Sequence, residues 1–403
     1  MNLVLGTLEL TTIGGVGTYV VTVAEQLERM GHGVTIHTEE AGEMAALSEG
    51  RGLRVVTDAR ALPDRCDAVY AQDAPSAYRL ADRYRDVPQT FCTHSEEYDR
   101  WVVPQLPGVT SALVALNERT ARHACSLAHV PEIARLRQPI DTRRFSPRGA
   151  IAPSPGRALV MGNYTSGNRL ELIRQACSEA GIECVSRGLQ DGVVARSPDV
   201  EINDSDIVIG KGRVILEAMS CGRAAYVYDH LGGDGWVTPD RYARLEGDNF
   251  GGRGRPDVVD AARLRQDLLA YRADMGPANR DLAVAHHGAG PHAEALVELF
   301  RGIAPRRDPA GAPLDELGRL SRVLWQADAR ALGFEHEAKL LRAELSRRNR
   351  EQADLHGQAA EAQRRAAEAA QRAAAAEAEA AEARERLAQL EAEVAASREG
   401  SPR

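Results

Sequence analysis

The chain has 403 residues and a formal net charge of −8, and its basic residues are dispersed with no basic stripe among aromatics, which argues against a nucleic-acid partner. Its six cysteines, Cys66, Cys92, Cys125, Cys177, Cys184 and Cys221, make no C-x-x-C pair and are expected to be reduced core residues, neither a disulfide frame nor a zinc site. No basic n-region opens the chain and no apolar run approaches the ~20 residues of a membrane span, so the expectation is a cytoplasmic protein, peripheral at most to the inner face of a membrane.

In chain order, Leu3-Val-Leu-Gly6 is a short buried strand and Thr11-Thr-Ile-Gly-Gly-Val-Gly17 a glycine-rich loop. Thr18 to Met30 carries Tyr19, Val20, Val23, Leu27 and Met30 at helical spacing, ended by Gly31-His-Gly33 before the strand Val34-Thr-Ile-His37. Strand, helix, strand is a βαβ unit, which implies a parallel sheet covered by helices. Asp67 to Tyr70, Thr90 to Thr93 and Ala112 to Leu116 continue the strands, and a helix follows from Glu118. Ser146-Pro-Arg-Gly-Ala-Ile-Ala-Pro-Ser-Pro-Gly156 is the expected hinge. A second series follows: strand Arg157 to Met161, helix Asn168 to Gly181, and strands Ile182 to Val185, Ile207 to Ile209 and Ala225 to Tyr228. Gly232 to Thr238 is a second glycine-rich loop, either lining a pocket with Asp234 or lying plainly on the surface.

From about Leu314 the chain turns helical and polar, and after Glu361 Ala, Glu and Arg dominate. With Leu387 at a and Leu390 at d, a heptad runs forward to Val394 and back through alanines to Leu355, Leu345, Leu341 and Phe334, broken at Gln352 and Arg348. A coiled coil is expected, with a solvated single helix and a disordered tail as alternatives. The expected organisation is α/β: Rossmann-like domains over 1–147 and 148–311, then a helical tail over 312–403. Two such domains place a cleft at the carboxyl ends of their strands, where open α/β sheets bind ligands.

The most informative stretch is Asp206-Ile-Val-Ile-Gly-Lys-Gly-Arg-Val-Ile-Leu-Glu-Ala-Met-Ser-Cys-Gly222. A strand runs into Gly210-Lys211-Gly212 and a helix carrying Glu217 follows. Glycines let a backbone pass close to a ligand, and a helix N-terminus offers free N–H groups and a positive dipole end, so this is a place to hold phosphate. Lys211 and Lys339 are the chain's two lysines, and one of them sits between these glycines.

Four segments resemble the retaining family-4 (group 1) glycosyltransferases of GT-B fold: Gly14-Gly-Val-Gly17 with Gly31-His-Gly-Val34, Phe91-Cys-Thr-His94, Arg137-Gln-Pro-Ile-Asp-Thr-Arg-Arg-Phe-Ser-Pro147, and Ile209 to Glu217. The resemblance spans roughly residues 1 to 303. It implies two Rossmann-like domains in the GT-B arrangement, a nucleotide-sugar donor, a carbohydrate or lipid-linked acceptor as in cell-surface polysaccharide biosynthesis, and no metal or other cofactor. Glu217 matches the second glutamate of the E-x7-E motif, which binds ribose. Ile209 replaces the first, which contacts the donor sugar, and an aliphatic cannot hydrogen-bond a hydroxyl. Asn163 stands where the family places a diphosphate-binding arginine, and Arg169 stands in for the lysine that follows. The anomeric outcome is left open by Ile209.

A departing diphosphate needs cations and free N–H groups in a dry cleft. The expected donor-site residues are Arg169, Lys211, Arg213 and Glu217 with the Gly210 to Gly212 loop; Lys211 and His94 are the catalytic candidates. Gly14, Gly15 and Gly17 either let the backbone approach acceptor or phosphate, or form a tight turn. His94 either meets a sugar hydroxyl or shares a proton there, or is structural. Glu96 and Glu97 are a weaker acid/base option, or merely solvated. His286-His287 lacks ligand-spaced partners and is expected on a helix surface, with no metal. Against a transferase stands a non-catalytic scaffold that oligomerises or docks through its tail, over 334–394, and, more thinly, a sugar-nucleotide epimerase.

Overall fold

The computed structural model describes residues 1–96, 98–127, 130–162, 165–188, 195, 197–229, 232–254, 260–304 and 314–399. Asn163, Glu97 and the 311/312 boundary lie outside them. The chain divides into two compact units, Met1–Asp328 and Ala329–Arg403.

The first unit holds two main sheets. Strands β1 (Asn2–Gly6), β2 (Glu9–Leu10), β3 (Gly33–His37), β4 (Glu40–Ala41), β5 (Arg54–Val56), β6 (Ala68–Ala71), β7 (Gln89–Thr93), β8 (Ala112–Ala115) and β9 (Glu132–Arg135) come first. Of these, seven form one parallel sheet in the order β5-β3-β1-β6-β7-β8-β9, and β2 pairs with β4 apart. Strands β10 (Arg157–Met161), β11 (Glu183–Arg187), β12 (Ile207–Gly210), β13 (Ala224–Asp229) and β14 (Gly232–Trp236) form the second, in the order β11-β10-β12-β13-β14. All its pairs are parallel except the last. Strands buried on both faces explain the unbroken Val, Ile, Leu and Ala runs, such as Ala-Leu-Val-Ala in β8.

The expected loop at Gly232 to Thr238 is instead the buried antiparallel edge strand β14. Its glycines take the conformations this edge demands, with φ of 129° at Gly232 and 78° at Gly235 beside a register shift at Val227/Tyr228.

The helix Gly15–Arg29 buries Tyr19, Val20, Val23 and Leu27 on the first sheet. Although it follows the second sheet in sequence, the helix Ala289–Gly302 returns to that same core through Ala293, Leu296, Val297 and Phe300. The segment leading from the first sheet to the second is gripped from both ends of this return. His292 donates Nδ1–H to the Arg137 carbonyl (2.9 Å) and accepts from Tyr19 at Nε2 (3.0 Å). His287 donates to the Gln138 carbonyl (2.8 Å) and accepts from Tyr242 (2.8 Å). His287, expected on a surface, is 2% exposed, because the last turn of its helix faces this segment; His286 beside it is exposed. Among the cysteines, Cys92, Cys177 and Cys221 are buried, Cys66 and Cys184 are half-buried, and Cys125 is exposed rather than in the core; all are free.

The helix Leu314–Glu399 starts in the first unit, where Leu314 and Trp325 are buried. The Arg100 guanidinium stacks 5.5 Å from the Trp325 ring centroid and 4.4 Å from that of Trp101. In the second unit, the same helix continues as a single helix to Glu399, and its described side chains are mostly exposed as far as Glu391. Among the described residues, no helix is long and apolar enough to cross a membrane.

Candidate active site

A cleft of about 450 Å³ opens between the two main sheets. Its walls are residues at or just past the carboxyl ends of parallel strands: His94 and Ser95 after β7, Leu116 after β8, Met161 and Gly162 at β10, Arg187 and Gly188 at β11, Lys211 and Gly212 after β12, and Asp229 ending β13. That is where parallel sheets leave loop backbone exposed for a ligand.

Gly210 ends β12 against the backbone of β10: a Cβ there would lie 2.6 Å from the Met161 carbonyl oxygen. Gly212 has φ 58° and ψ −128°, a region reserved for glycine, and it starts the helix Arg213–Ser220. Its N–H is taken by the Phe250 carbonyl (3.1 Å), so the first-turn donors that face a ligand begin at Arg213 and Val214. Lys211 Nζ stands 3.5 Å from Asp229 Oδ2, and Asp229 Oδ1 accepts from Thr165 Oγ1 at 2.7 Å. Burial lowers the Lys211 pKa, and the Asp229 carboxylate opposes that shift.

Arg213 is placed differently from the sequence expectation. It lines the cleft, but three of its five N–H donors go to protein: Nε to Glu217 Oε1 (2.9 Å), Nη1 to the Pro139 carbonyl (3.0 Å) and Nη2 to Thr22 Oγ1 (3.0 Å). Thr22 belongs to the helix on the first sheet and passes its own proton to the Thr18 carbonyl. Arg213 is therefore a tie between the two sheets. Glu217 lines the cleft with its side chain 8% exposed; burial raises its pKa and Arg213 opposes the rise.

Across the cleft, Gln72 donates Nε2–H to the Tyr70 carbonyl (3.3 Å), which turns its Oε1 to His94 Nε2 at 2.9 Å. His94 thus carries its proton on Nε2 and keeps a lone pair on Nδ1. Burial, with the Arg100 cation nearby, lowers its pKa to about 3. A neutral imidazole of that acidity orients a hydroxyl; as a general base it is weak.

Gly14 and Gly15 line the cleft, and a Cβ on Gly15 would meet nothing within 4 Å. Gly17 does not face it. It is buried in the first turn of the helix Gly15–Arg29, where a Cβ would come within 2.9 Å of Met44 Cγ. Arg169 is outside the cleft lining as well, at the start of its helix beside Tyr228, whose phenol its charge acidifies against the upward push of burial. Asp234 is held away by Arg244 (2.9 Å) and the Gly254 N–H (3.2 Å). Glu96 is not merely solvated: it lies 3.0 Å from Arg119 and 3.3 Å from Arg253.

Sequence reasoning missed Asp229 and five arginines. The described lining carries seven basic side chains (Arg51, Arg119, Arg144, Arg187, Lys211, Arg213 and Arg253) against three acidic ones (Glu217, Asp229 and Asp248). On a chain of net charge −8 this is a local reversal of sign, and it suits an anionic ligand. Position at the carboxyl end of a strand was the available signal for Arg187 and Asp229. Among the described residues, no group of three or more His, Cys, Asp or Glu side chains is placed to hold a metal ion.

No family model matches this chain, and no curated protein matches it in sequence. Solved structures do. A point mutant of TarM from S. aureus, in complex with Fondaparinux, alpha-GlcNAc-glycerol and UDP, aligns over 75% of this chain and 100% of its own, at 9% identity and a TM-score of 0.53. Alr3699/HepE from Anabaena, in complex with UDP-glucose, aligns over 75% and 99% at 12% identity and a TM-score of 0.48. MurG from Acinetobacter baumannii aligns over 74% and 99% at 12% identity and a TM-score of 0.42. The sheet orders, the cleft at their carboxyl ends and the TarM likeness together make this the GT-B fold, extended by a C-terminal helix.

Proposed function

We propose that the chain is a glycosyltransferase that moves a sugar from a nucleotide-sugar donor to a carbohydrate or lipid-linked acceptor. One observation carries the reading: a cleft whose described lining has seven cationic side chains to three acidic ones, with a Gly-Lys-Gly turn opening a helix at its wall. In the reaction the bond from the anomeric carbon to the diphosphate oxygen breaks, one to the acceptor oxygen forms, and the acceptor hydroxyl gives its proton to the departing diphosphate oxygen. The leaving diphosphate gains charge, and Lys211 with the Arg213 and Val214 N–H groups stands ready to stabilise it. Cations of the protein take the place of a metal. Glu217, fixed by Arg213, offers its remaining carboxylate oxygen to a ribose, and His94 Nδ1 accepts from an acceptor or sugar hydroxyl. Arg213 positions Glu217. The TarM structure, which holds UDP and a glycosylated glycerol, supports the ligand class, and the family-4 resemblance supports retention of configuration.

Calorimetric titration with a panel of nucleoside diphosphates tests this. One diphosphate should bind, and Lys211→Ala should weaken it about 10- to 100-fold, the worth of one charged hydrogen bond. No binding at millimolar ligand would sink the reading. Ile209, fully buried where the family places an acid, favours a second reading, a scaffold without turnover. Tight diphosphate binding with no transfer or hydrolysis of any donor would select it.

A further inference from the structure

We propose that the helix beyond residue 328 pairs with a second copy of this chain as a parallel, in-register coiled coil. This inference stands apart from the chemistry of the cleft. Phe334, Leu341, Leu345, Leu355, Leu387 and Leu390 fall on a and d positions of one heptad register, with alanine filling most of the others. Each of the six is 53% to 70% exposed, so the stripe is uncovered within the unit.

The flanking charges name the occupant. In a parallel in-register pair, each g position meets the e position five residues on in the other copy. At the start of the stripe, Arg330 meets Glu335 and Glu337 meets Arg342. At its end, Arg372 meets Glu377, Glu379 meets Arg384 and Arg386 meets Glu391. The four intervening g–e pairs each contain a neutral residue or a histidine, and no pair sets like charge against like. An antiparallel overlap of the same length makes four repulsive pairings, Arg330 with Arg386, Glu337 with Glu379, Glu335 with Glu391 and Arg342 with Arg384, against two attractive ones, Glu344 with Arg372 and Glu351 with Arg365. Gln352 at an a position adds a polar layer that matches only in register, and Arg348 at d pairs with Glu344 of its own helix at 2.9 Å. A partner of any other sequence would have to reproduce this charge order; a second copy does so without further conditions.

Light scattering on the full chain should give twice the 43.6 kDa of one chain. A monomer at tens of micromolar would overturn the proposal. Arg384→Glu should weaken dimerisation about tenfold, because two attractive pairs turn repulsive. Adding Glu379→Arg should restore it; failure to restore would remove the charge argument. For direction, Ala338→Cys and Ala383→Cys chains are mixed and oxidised with diamide, which takes two electrons and two protons from each thiol pair. Like-with-like disulfides above the wild-type background are expected, whereas a mixed 338–383 disulfide would show an antiparallel pair.

Discussion

Replacing Arg213 by methionine should cost about 3–5 kcal/mol, because it strands the Glu217 carboxylate in a buried site and leaves the Pro139 carbonyl without its donor. Arg213 and Glu217 side chains are only 10% and 8% exposed, so water screens the pair little. Glu217→Met should lose a comparable amount. The double change should lose less than the sum by as much as about 3 kcal/mol, since each single variant already leaves its partner uncompensated. Urea unfolding followed by tryptophan fluorescence and far-ultraviolet dichroism measures all four proteins. pH adds a second reading. Burial already raises the Glu217 pKa above its ordinary 4.5, and removing the Arg213 cation raises it further. An acid with a raised folded-state pKa loses stability as pH climbs from 4.5 through that value, so Arg213→Met should recover part of its deficit as pH falls toward 4.5. Additive losses, or a single-variant loss below about 1 kcal/mol, would refute the view of this pair as a coupled tie between the sheets.

Gly212→Ala should destabilise by about 1–3 kcal/mol through its positive φ, whereas Gly15→Ala should leave the melting temperature unchanged and weaken diphosphate or acceptor binding, because its Cβ would enter open cleft; thermal melts with and without ligand separate the two. Burial lowers the pKa of His94 to about 3 and of His287 and His292 to about 4, so the unfolded chain takes up three protons that the folded chain resists. Stability should be full above 6.5 and fall by as much as about 4 kcal/mol per pH unit between 6.5 and 4, and a flat melting temperature over that window would refute it. Trp325→Ala should strip one face from Arg100 and loosen the Asp99–Trp101 turn, so amide exchange there should rise while the Arg213–Ser220 helix keeps its protection.

What was legible in the sequence followed from backbone demands. The strand runs of β1, β3, β10, β12 and β13 are apolar because both faces of each sheet are covered, and Gly210 and Gly212 stand out because no other residue tolerates those positions. β14 was not legible, since five residues with three glycines look like a loop until an edge strand bends around them. The role of Arg213 was not legible either: two of its three partners lie 74 and 191 residues away, a distance no local pattern encodes. His287 was misjudged because burial at the end of a helix depends on what the neighbouring segment, here Gln138 and Tyr242, brings to it. Gly17 shares a motif with Gly14 and Gly15 yet turns to Met44, since successive helical residues point about 100° apart.

An aliphatic side chain at position 209 suits where the sheet ends. Ile209 is still inside the sheet, paired with Val160 and Tyr226 and packed in the core, and a carboxylate there would be buried without a partner at a cost of several kcal/mol. The strand leaves the sheet one residue later, so the first side chain of this loop to enter the cleft is Lys211. An acid reaches the same place from the neighbouring strand, as Asp229, and it arrives already bonded to Thr165 and facing Lys211. In place of a lone carboxylate, the strand ends here present a cation–carboxylate pair. Such a pair gives a higher local potential than a lone carboxylate would, and its acid is already engaged by Thr165 and Lys211. Under the proposed reading, the recognition energy of the donor therefore rests on its diphosphate, and discrimination among donor sugars falls to contacts other than residue 209.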